Sequence, residues 1–421
     1  MATVHIVGAG LAGLSCAVTL AEKGTAVALY EAAPQAGGRC RSYFDSTLGA
    51  VIDNGNHLLL SANHAALGFL ETIGARDRLV GPRRAMIPFL DLDTLTAWQL
   101  DFGDGRIPRW ILRRATRVPG TRLLDYLALL PLVRDSGAPT IGARLNRRGA
   151  ILDRFLEPMV LAVMNAAIEE AAAAPFARVL QQTFLVGGRA CRPLTAARSL
   201  GETFVEPALT YLQRKGAAVH FGARVRDIEY DAGEANGFRV NGERIALGEG
   251  DRLVLCVPAA VACDLVPGLV VPQGESPILN AHYLCESPVL DRLFGDAPLL
   301  GLIGGTAQWV FRREGMLSVT VSAADGLIDE PAEILGRVVW RDLAHAFGLD
   351  AERLPRYRIV KEKRATFRQT PANESRRPSA RTAWRNLFLA GDWTATGLPA
   401  TIEGSVRSGA TAAEAALTVS F

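Results

Sequence analysis

Residues 3–42 read TVHIVGAGLAGLSCAVTLAEKGTAVALYEAAPQAGGRCRS. Val4 to Val7 is a short apolar run of the kind buried in a parallel sheet. Gly8, Gly10 and Gly13 follow with G-x-G-x-x-G spacing. Leu11 to Lys23 carries helical apolar spacing, Gly24 stops it, and Thr25 to Tyr30 reads as a second strand. In this strand–turn–helix–strand context each glycine has its own task. Gly8 permits the tight turn, Gly10 lets a pyrophosphate approach the backbone, and Gly13 lets the helix pack against the strand. Leu11 and Ala12 open the helix, where unpaired N–H groups and a partial positive charge favour a phosphate. Glu31, followed by Ala32, closes the second strand at the distance where a carboxylate accepts both hydroxyls of an adenosine ribose and repels a 2′-phosphate. The stretch therefore predicts an α/β, Rossmann-like lobe that binds a dinucleotide.

Gly37, Gly38 and Arg39 lie just beyond Glu31 and offer a second close backbone approach and a cation for the pyrophosphate. This E-x-x-x-x-x-G-G-R segment resembles that of the FAD-dependent amine oxidase and phytoene desaturase superfamily. Residues 51–60, VIDNGNHLLL, follow as they do in that superfamily, with Gly55, Asn56 and His57 beside the cofactor. Residues 386–417, NLFLAGDWTATGLPATIEGSVRSGATAAEAAL, resemble its second FAD segment. The resemblance implies that Gly391 and Asp392 meet the ribityl chain and that a helix starts at Thr401. The N–H of Ile402 would then face the flavin pyrimidine edge, where the helix dipole stabilises negative charge. Residues 222–231, GARVRDIEYD, are similar to the strand that lays the backbone of Val225 against adenine. The implied fold is a glutathione-reductase-like FAD lobe with an inserted α+β substrate lobe. The implied cofactor is non-covalent FAD, because no cysteine or histidine is placed for a flavin link in the C-terminal segment.

The chain has 421 residues, too many for one ordinary core, so two lobes are expected. The net charge of +3 gives no nucleic-acid role. No apolar run approaches the length of a membrane span. The N-terminus enters a strand directly, with no basic segment before an apolar core, so no signal peptide is expected and the location reads as cytoplasmic. Cys16, Cys40, Cys191, Cys256, Cys263 and Cys285 show no C-x-x-C pair and read as small buried hydrophobes in a reducing compartment. The six histidines have no metal-ligand spacing, and no metal is expected.

The FAD-binding domain reads as discontinuous, over 1–75, 201–265 and 382–421. The substrate-binding domain would be 76–200 and 266–381. Within it, about 110–195 reads as mostly helical and about 276–325 as strands, which suits a sheet facing the cofactor with helices behind. Residues 237–250, GFRVNGERIALGEG, read as a hairpin around Asn241-Gly242.

Flavin chemistry needs few protein acids, so the lack of a triad or nucleophile is compatible with an enzyme. No second G-x-G-x-x-G is present, so an external electron donor or acceptor is expected. Amine oxidases place an aromatic residue where Thr401 stands, which turns the reading away from amines. The segments LLDYLALLPLV (123–133) and PMVLAVMNAAI (158–168) are ordinary core helices in one reading. In another they suit a long hydrocarbon. Over nearly its full length the chain resembles the squalene-associated FAD-dependent desaturases of bacterial hopanoid pathways, the hydroxysqualene dehydroxylases. The middle segments LVGGRACRPL (185–194) and SLGETFVEPALTYL (199–212) carry that closer likeness. It implies hydride delivery from reduced flavin to a C30 isoprenoid losing an allylic hydroxyl, with one proton from a donor the sequence does not identify. The alternatives are a carotenoid-type desaturase running hydride toward flavin, or a prenyl-binding carrier without redox chemistry.

Between Asp104 and Asp125 there is no acid, while Arg106, Arg109, Arg113, Arg114, Arg117 and Arg122 alternate with Trp110, Ile111, Leu112 and Val118. The segment 106–122 is either a solvated basic face or a peripheral docking segment on the inner face of the cytoplasmic membrane, with Trp110 and its apolar neighbours entering the interface.

Overall fold

A computed structural model describes residues 2–133, 139–145, 149–313 and 315–418. Its first sheet has five strands in the order Ala218–Phe221, Ala26–Glu31, Thr3–Val7, Arg252–Leu255 and Leu387–Leu389, all parallel. Parallel strands are covered on both faces and so read as continuous apolar runs. Ile6, Leu29, Val254 and Leu389 are accordingly fully buried. The helices Leu11–Glu22 and Ile402–Leu417 cover one face. They approach closely because Gly409 lacks a side chain: a Cβ there would lie 2.2 Å from the Ala12 carbonyl oxygen. Ser15 Oγ donates to Val406 O across the same contact, at 2.8 Å. The antiparallel strands Val225–Asp231, Glu234–Val240 and Glu243–Ala246 form a separate sheet. Its hairpin turns at Asn241 and Gly242, both with positive φ. Phe238 from this sheet packs with Tyr30, Leu253 and Trp393 in the core cluster on the other side.

The second large sheet has seven strands: Tyr357–Phe367, Glu275–Leu284, Met316–Val321, Trp309–Arg313, Leu299–Ile303, Met86–Asp91 and Thr96–Asp101. Period-two alternation divides its faces. Leu279, Ala281, Tyr283, Leu317, Val319 and Val321 pack with the helix Ala332–Phe347. The intervening Asn280, His282, Ser318 and Thr320 are polar yet buried. Farther across the sheet, Phe89, Trp309 and Phe311 belong to a different cluster, which also takes in Phe102, Tyr126 and Phe155.

Residues 110–195 are helical in kind but more broken than the sequence suggests. Among the described residues, Ala173–Gln182 is an α-helix, the π segment Leu152–Leu156 runs on into the helix Glu157–Met164, and Arg109–Leu112, Arg114–Thr116 and Leu123–Leu129 are 3-10 turns. Pro131, Pro158 and Pro175 stand in the first turns of Leu130–Val133, Glu157–Met164 and Ala173–Gln182, where proline is tolerated, while Pro119 lies in a turn between helical pieces. The small strand Pro193–Ala196 pairs with Leu59–Leu60 and Leu79–Val80, and Leu79, Leu194 and Ala196 lie in the core beneath the helix Leu11–Glu22.

Candidate cofactor and substrate site

The three glycines of the first turn are used differently. Gly8 has φ +101, and a Cβ there would stand 2.5 Å from Cys256 O. A Cβ on Gly13 would stand 1.9 Å from Gly8 O. Both are packing requirements. A Cβ on Gly10 would meet nothing within 4 Å. Gly10 is also the N-cap of Leu11–Glu22, with no capping side chain and no acid in the first turn. The N–H groups at that end therefore lack a capping side chain, and the open space beside Gly10 leaves room for a phosphate.

Gly37 lies alongside this turn. Its N–H donates to Ala9 O at 2.8 Å, and it forms a bridge with Gly10. Both Gly37 and Gly38 have positive φ, and the chain then turns through Gly38–Cys40. Arg39 Nη2 donates to Asp392 Oδ1 at 2.7 Å and Nη1 to Ala365 O at 2.5 Å. Asp392 holds the guanidinium firmly protonated. Two residues expected to touch separate parts of the cofactor thus also pair with each other, tying the first loop to the last.

Glu31 has a structural task as well. Its carboxylate accepts the N–H of Ala9 at 2.7 Å and of Ala33 at 2.8 Å. A carboxylate has about four acceptor positions, so two remain for ribose hydroxyls. Ala32 is exposed at this edge. Ala223 N donates to Glu31 O at 2.8 Å, which brings Val225 close to the same strand end. Val225 is itself buried, paired with Val240.

The segment 53–57 crosses onto the polar part of the seven-stranded sheet. Asp53 is fully buried; it accepts Ser42 Oγ at 2.5 Å and Leu200 N at 3.0 Å, and its second oxygen lies 2.5 Å from Arg313. Asn56 Nδ2 donates to Thr320 Oγ1 at 3.1 Å, and Thr320 passes the bond on to Asn280 Oδ1 at 2.8 Å. Asn280 Nδ2 reaches Asn54 O at 3.3 Å. A Cβ on Gly55 would sit 3.5 Å from Asn280 Nδ2 and 3.7 Å from His57 Nε2, in ordinary contact with both groups. Asn56 Oδ1 is buried with no protein partner, an acceptor left over for a bound group. Burial pushes His57 down to about 4 against the pull of Asp53, and His282 likewise to about 4. Both rings are neutral at physiological pH and are poor proton donors.

At the last loop, Gly391 N donates to Ser408 Oγ at 2.8 Å. Thr401 caps the helix Ile402–Leu417 by accepting Gly404 N–H at 3.2 Å. The capping bond uses the third N–H of the helix, so those of Ile402 and Glu403 project from its end.

Several residues here were not singled out from sequence. Arg377 is buried and donates to Thr394 O, Leu398 O, Asp392 O and Thr396 Oγ1 at 2.7–3.0 Å, while Glu374 pairs with it. Gln369 Oε1 accepts Ala400 N at 2.8 Å. Together they set the 391–401 loop. Glu403 is buried and accepts the N–H groups of Ala65 and Ala66, capping the helix His64–Thr72. Nothing in the sequence distinguishes Arg377 from its neighbour Arg376; only the placement does.

Two expectations need correction. Trp110 does not face outward: it packs edge-to-face on Phe102 and Tyr126, with Phe155 beside it. Val118 is buried and Ile111 is half-buried in the same cluster. These rings offer Trp110 partners that water does not. The cysteines are also not uniformly buried: all are free, but Cys263 is exposed and Cys256 and Cys285 are intermediate.

Comparison with known proteins fits this geometry. The model for the flavin-containing amine oxidoreductases matches residues 11–417. The hydroxysqualene dehydroxylase of Sinorhizobium fredii is 45% identical over 98% of this chain and 98% of its own. That of Rhodopseudomonas palustris is 45% identical over 99% and 98%. More distant relatives include carotenoid desaturases. Cyclohexylamine oxidase from Brevibacterium oxydans shares the fold, with a TM-score of 0.69 at 14% identity over 99% of this chain and 98% of that one. Flavin chemistry on a dinucleotide-binding fold makes the cofactor FAD and the protein an oxidoreductase. The chain belongs to the flavin-containing amine oxidoreductase family and, within it, groups with the hydroxysqualene dehydroxylases.

Proposed function

We propose that this enzyme removes the allylic hydroxyl of hydroxysqualene reductively, giving squalene for hopanoid synthesis. The observation that carries the reading is the change along one face of the seven-stranded sheet. Polar groups at Asn280 and Thr320 meet Asn56 beside the cofactor loops, and the face then becomes aromatic at Trp309, Phe311 and Phe89. A substrate with one hydroxyl on a long hydrocarbon needs that division. Leu58, next to His57, packs on the aromatic cluster and joins the two parts.

Reduced FAD, when bound, supplies the hydride. The C–O bond breaks, the new C–H bond forms, and the hydroxyl leaves as water with one added proton. The chain's part is to exclude water with its aromatic wall and to hold the leaving oxygen near Asn56. The proton donor is not assigned, because His57 and His282 beside the segment are neutral.

We assign the dinucleotide to Gly8, Gly10, Leu11, Ala12, Gly13, Glu31, Ala32, Gly38, Arg39 and Val225, and the flavin end to Gly55, Asn56, His57, Gly391, Asp392, Thr401 and Ile402. FAD is held without a covalent bond. The cofactor domain comprises 1–75, 201–265 and 382–421, and the substrate domain 76–200 and 266–381. Electrons come from an external donor, and the enzyme works peripherally at the cytoplasmic face of the membrane. Among the described residues no helix is long and apolar enough to cross one.

The test is anaerobic incubation of dithionite-reduced holoenzyme with hydroxysqualene. Flavin reoxidation with an equal yield of squalene is expected. Reduction of the oxidised flavin by polyenes, with no squalene, would instead establish the desaturase reading.

A further inference from the structure

The inward turn of Trp110 leaves a surface that the arginine pattern alone did not reveal. Residues Leu123–Leu129 form a 3-10 turn that runs into the helix Leu130–Val133. Tyr126 and Leu132 point into the core. Leu124 and Leu127 are more than half exposed, and Leu123 and Leu130 more than two-fifths. The outward side of this segment is therefore leucine where a solvated helix would carry polar groups. Leu112 is 58% exposed, and Leu185 and Val186 about half.

These segments share one foundation. Trp110 packs on Phe102 and Tyr126, while Phe184, beside Leu185, packs on Phe102 and Phe155. Gly188 N donates to Gly105 O at 3.2 Å, which binds the 185–188 loop to the start of the arginine segment. The outward leucines thus belong to elements anchored on one aromatic cluster.

Arg106, Arg109, Arg113, Arg114 and Arg122 are exposed around this surface. None of them forms an ion pair among the described residues. The one acid within the leucine turn, Asp125, accepts the backbone N–H of Arg122 as part of a cap. An apolar platform bordered by uncompensated cations complements a bilayer that presents anionic headgroups above an apolar interior.

We propose that the platform formed by Leu112, Leu123, Leu124, Leu127, Leu130 and the 185–186 loop inserts into the interface of an anionic bilayer, with the surrounding arginines on its headgroups and Trp110 as an internal anchor. The aromatic cluster beneath the platform continues through Phe89 and Trp309 to Leu58, so docking places its outer end at the lipid. The proposal deepens the reading of a hydrocarbon substrate but does not need it, because the experiment uses no substrate.

The experiment is flotation of the holoenzyme with phosphatidylcholine vesicles, with and without 30% phosphatidylglycerol. Wild type should float with the anionic vesicles. Arg113→Glu/Arg114→Glu should lower the partition coefficient by about 30-fold or more, taking about 1 kcal/mol per basic residue. Leu124→Asp/Leu127→Asp should lower it more than tenfold with flavin content and Tm unchanged, since both side chains are already exposed. Flotation equal in all three proteins, or absent in all, would overturn the proposal. So would a wild-type dimer in light scattering that the leucine variant dissolves while neither binds vesicles; the platform would then meet a second copy of the chain. Any of these results would leave the dehydroxylation assay untouched.

Discussion

The glycine turns of residues 8–39 and the arginine segment of 106–122 are both conspicuous in the sequence, and they fared differently in the fold. In the turns the message is carried by the backbone. A positive φ at Gly8 and Gly37 and an absent Cβ at Gly13 are local demands that no distant packing can remove. In the arginine segment the message was carried by side-chain character. Where Trp110 points was settled by Phe102, Tyr126 and Phe155, which are close in space but spread along the chain. Local backbone chemistry can be read from sequence; the direction of an aromatic side chain depends on what packs beneath it.

The largest effect is expected at Trp110. Trp110→Ala should cost about 2–3 kcal/mol of stability, below the cost of removing a fully buried indole because the ring is half-buried. Denaturant unfolding measures it. An unchanged midpoint, with flotation alone reduced, would mean that the ring faces lipid after all.

A second effect arises where the cofactor loops meet the sheet. His57 and His282 fall from the unfolded value of 6.5 to about 4 because burial disfavours their charged forms. Between those values the unfolded chain binds more protons than the native one. Stability from keeping the rings neutral is complete above about pH 6.5 and is lost as the pH falls toward 4. At pH 5 the loss should be about 2 kcal/mol per ring. His57→Gln should flatten that slope while leaving stability at pH 8 nearly unchanged. A slope identical to wild type would remove His57 from the account.

The glycines sharpen the contrast from the other side. Gly13→Ala drives a Cβ into Gly8 O and should cost about 1–3 kcal/mol even without flavin. Gly10→Ala meets no atom and should leave stability within about 0.5 kcal/mol. Its effect should appear only in FAD affinity. If both variants lost stability equally, Gly10 would be a packing glycine and the phosphate cradle would lie elsewhere.

Much of the cofactor lobe was legible for the same reason. The strand, turn and helix of residues 3–31, the hairpin at Asn241-Gly242 and the helix beginning after Thr401 all rest on local rules of turn and cap. The ladder from Asn56 through Thr320 to Asn280 was not legible, because its members lie 224 and 264 residues from Asn56 and meet only through the register of the seven-stranded sheet. Arg377 is the clearest case. Its worth comes from four acceptors contributed by residues 392–398, and no spacing rule pairs an arginine with a loop that far along.

The smallest expected effect tests Glu31, which belongs to both kinds of argument. Its position was read as a ribose acceptor, yet its carboxylate already holds the N–H groups of Ala9 and Ala33. Glu31→Gln keeps the size of the side chain but replaces one acceptor oxygen with an NH2 group. That group faces an N–H donor, so one of the two backbone bonds is lost, at about 1 kcal/mol. The flavin-free protein should show this loss in its unfolding free energy. FAD affinity should fall separately, because the amide offers ribose one acceptor oxygen in place of two and no charge. Titration of flavin-free protein with FAD at constant ionic strength measures it. A stability loss with unchanged affinity would make Glu31 a strut of the turn alone, and the ribose would have to be held by the backbone at Ala32. Affinity lost with stability unchanged would mean that the two N–H contacts carry no net weight and that the acid is kept for the cofactor.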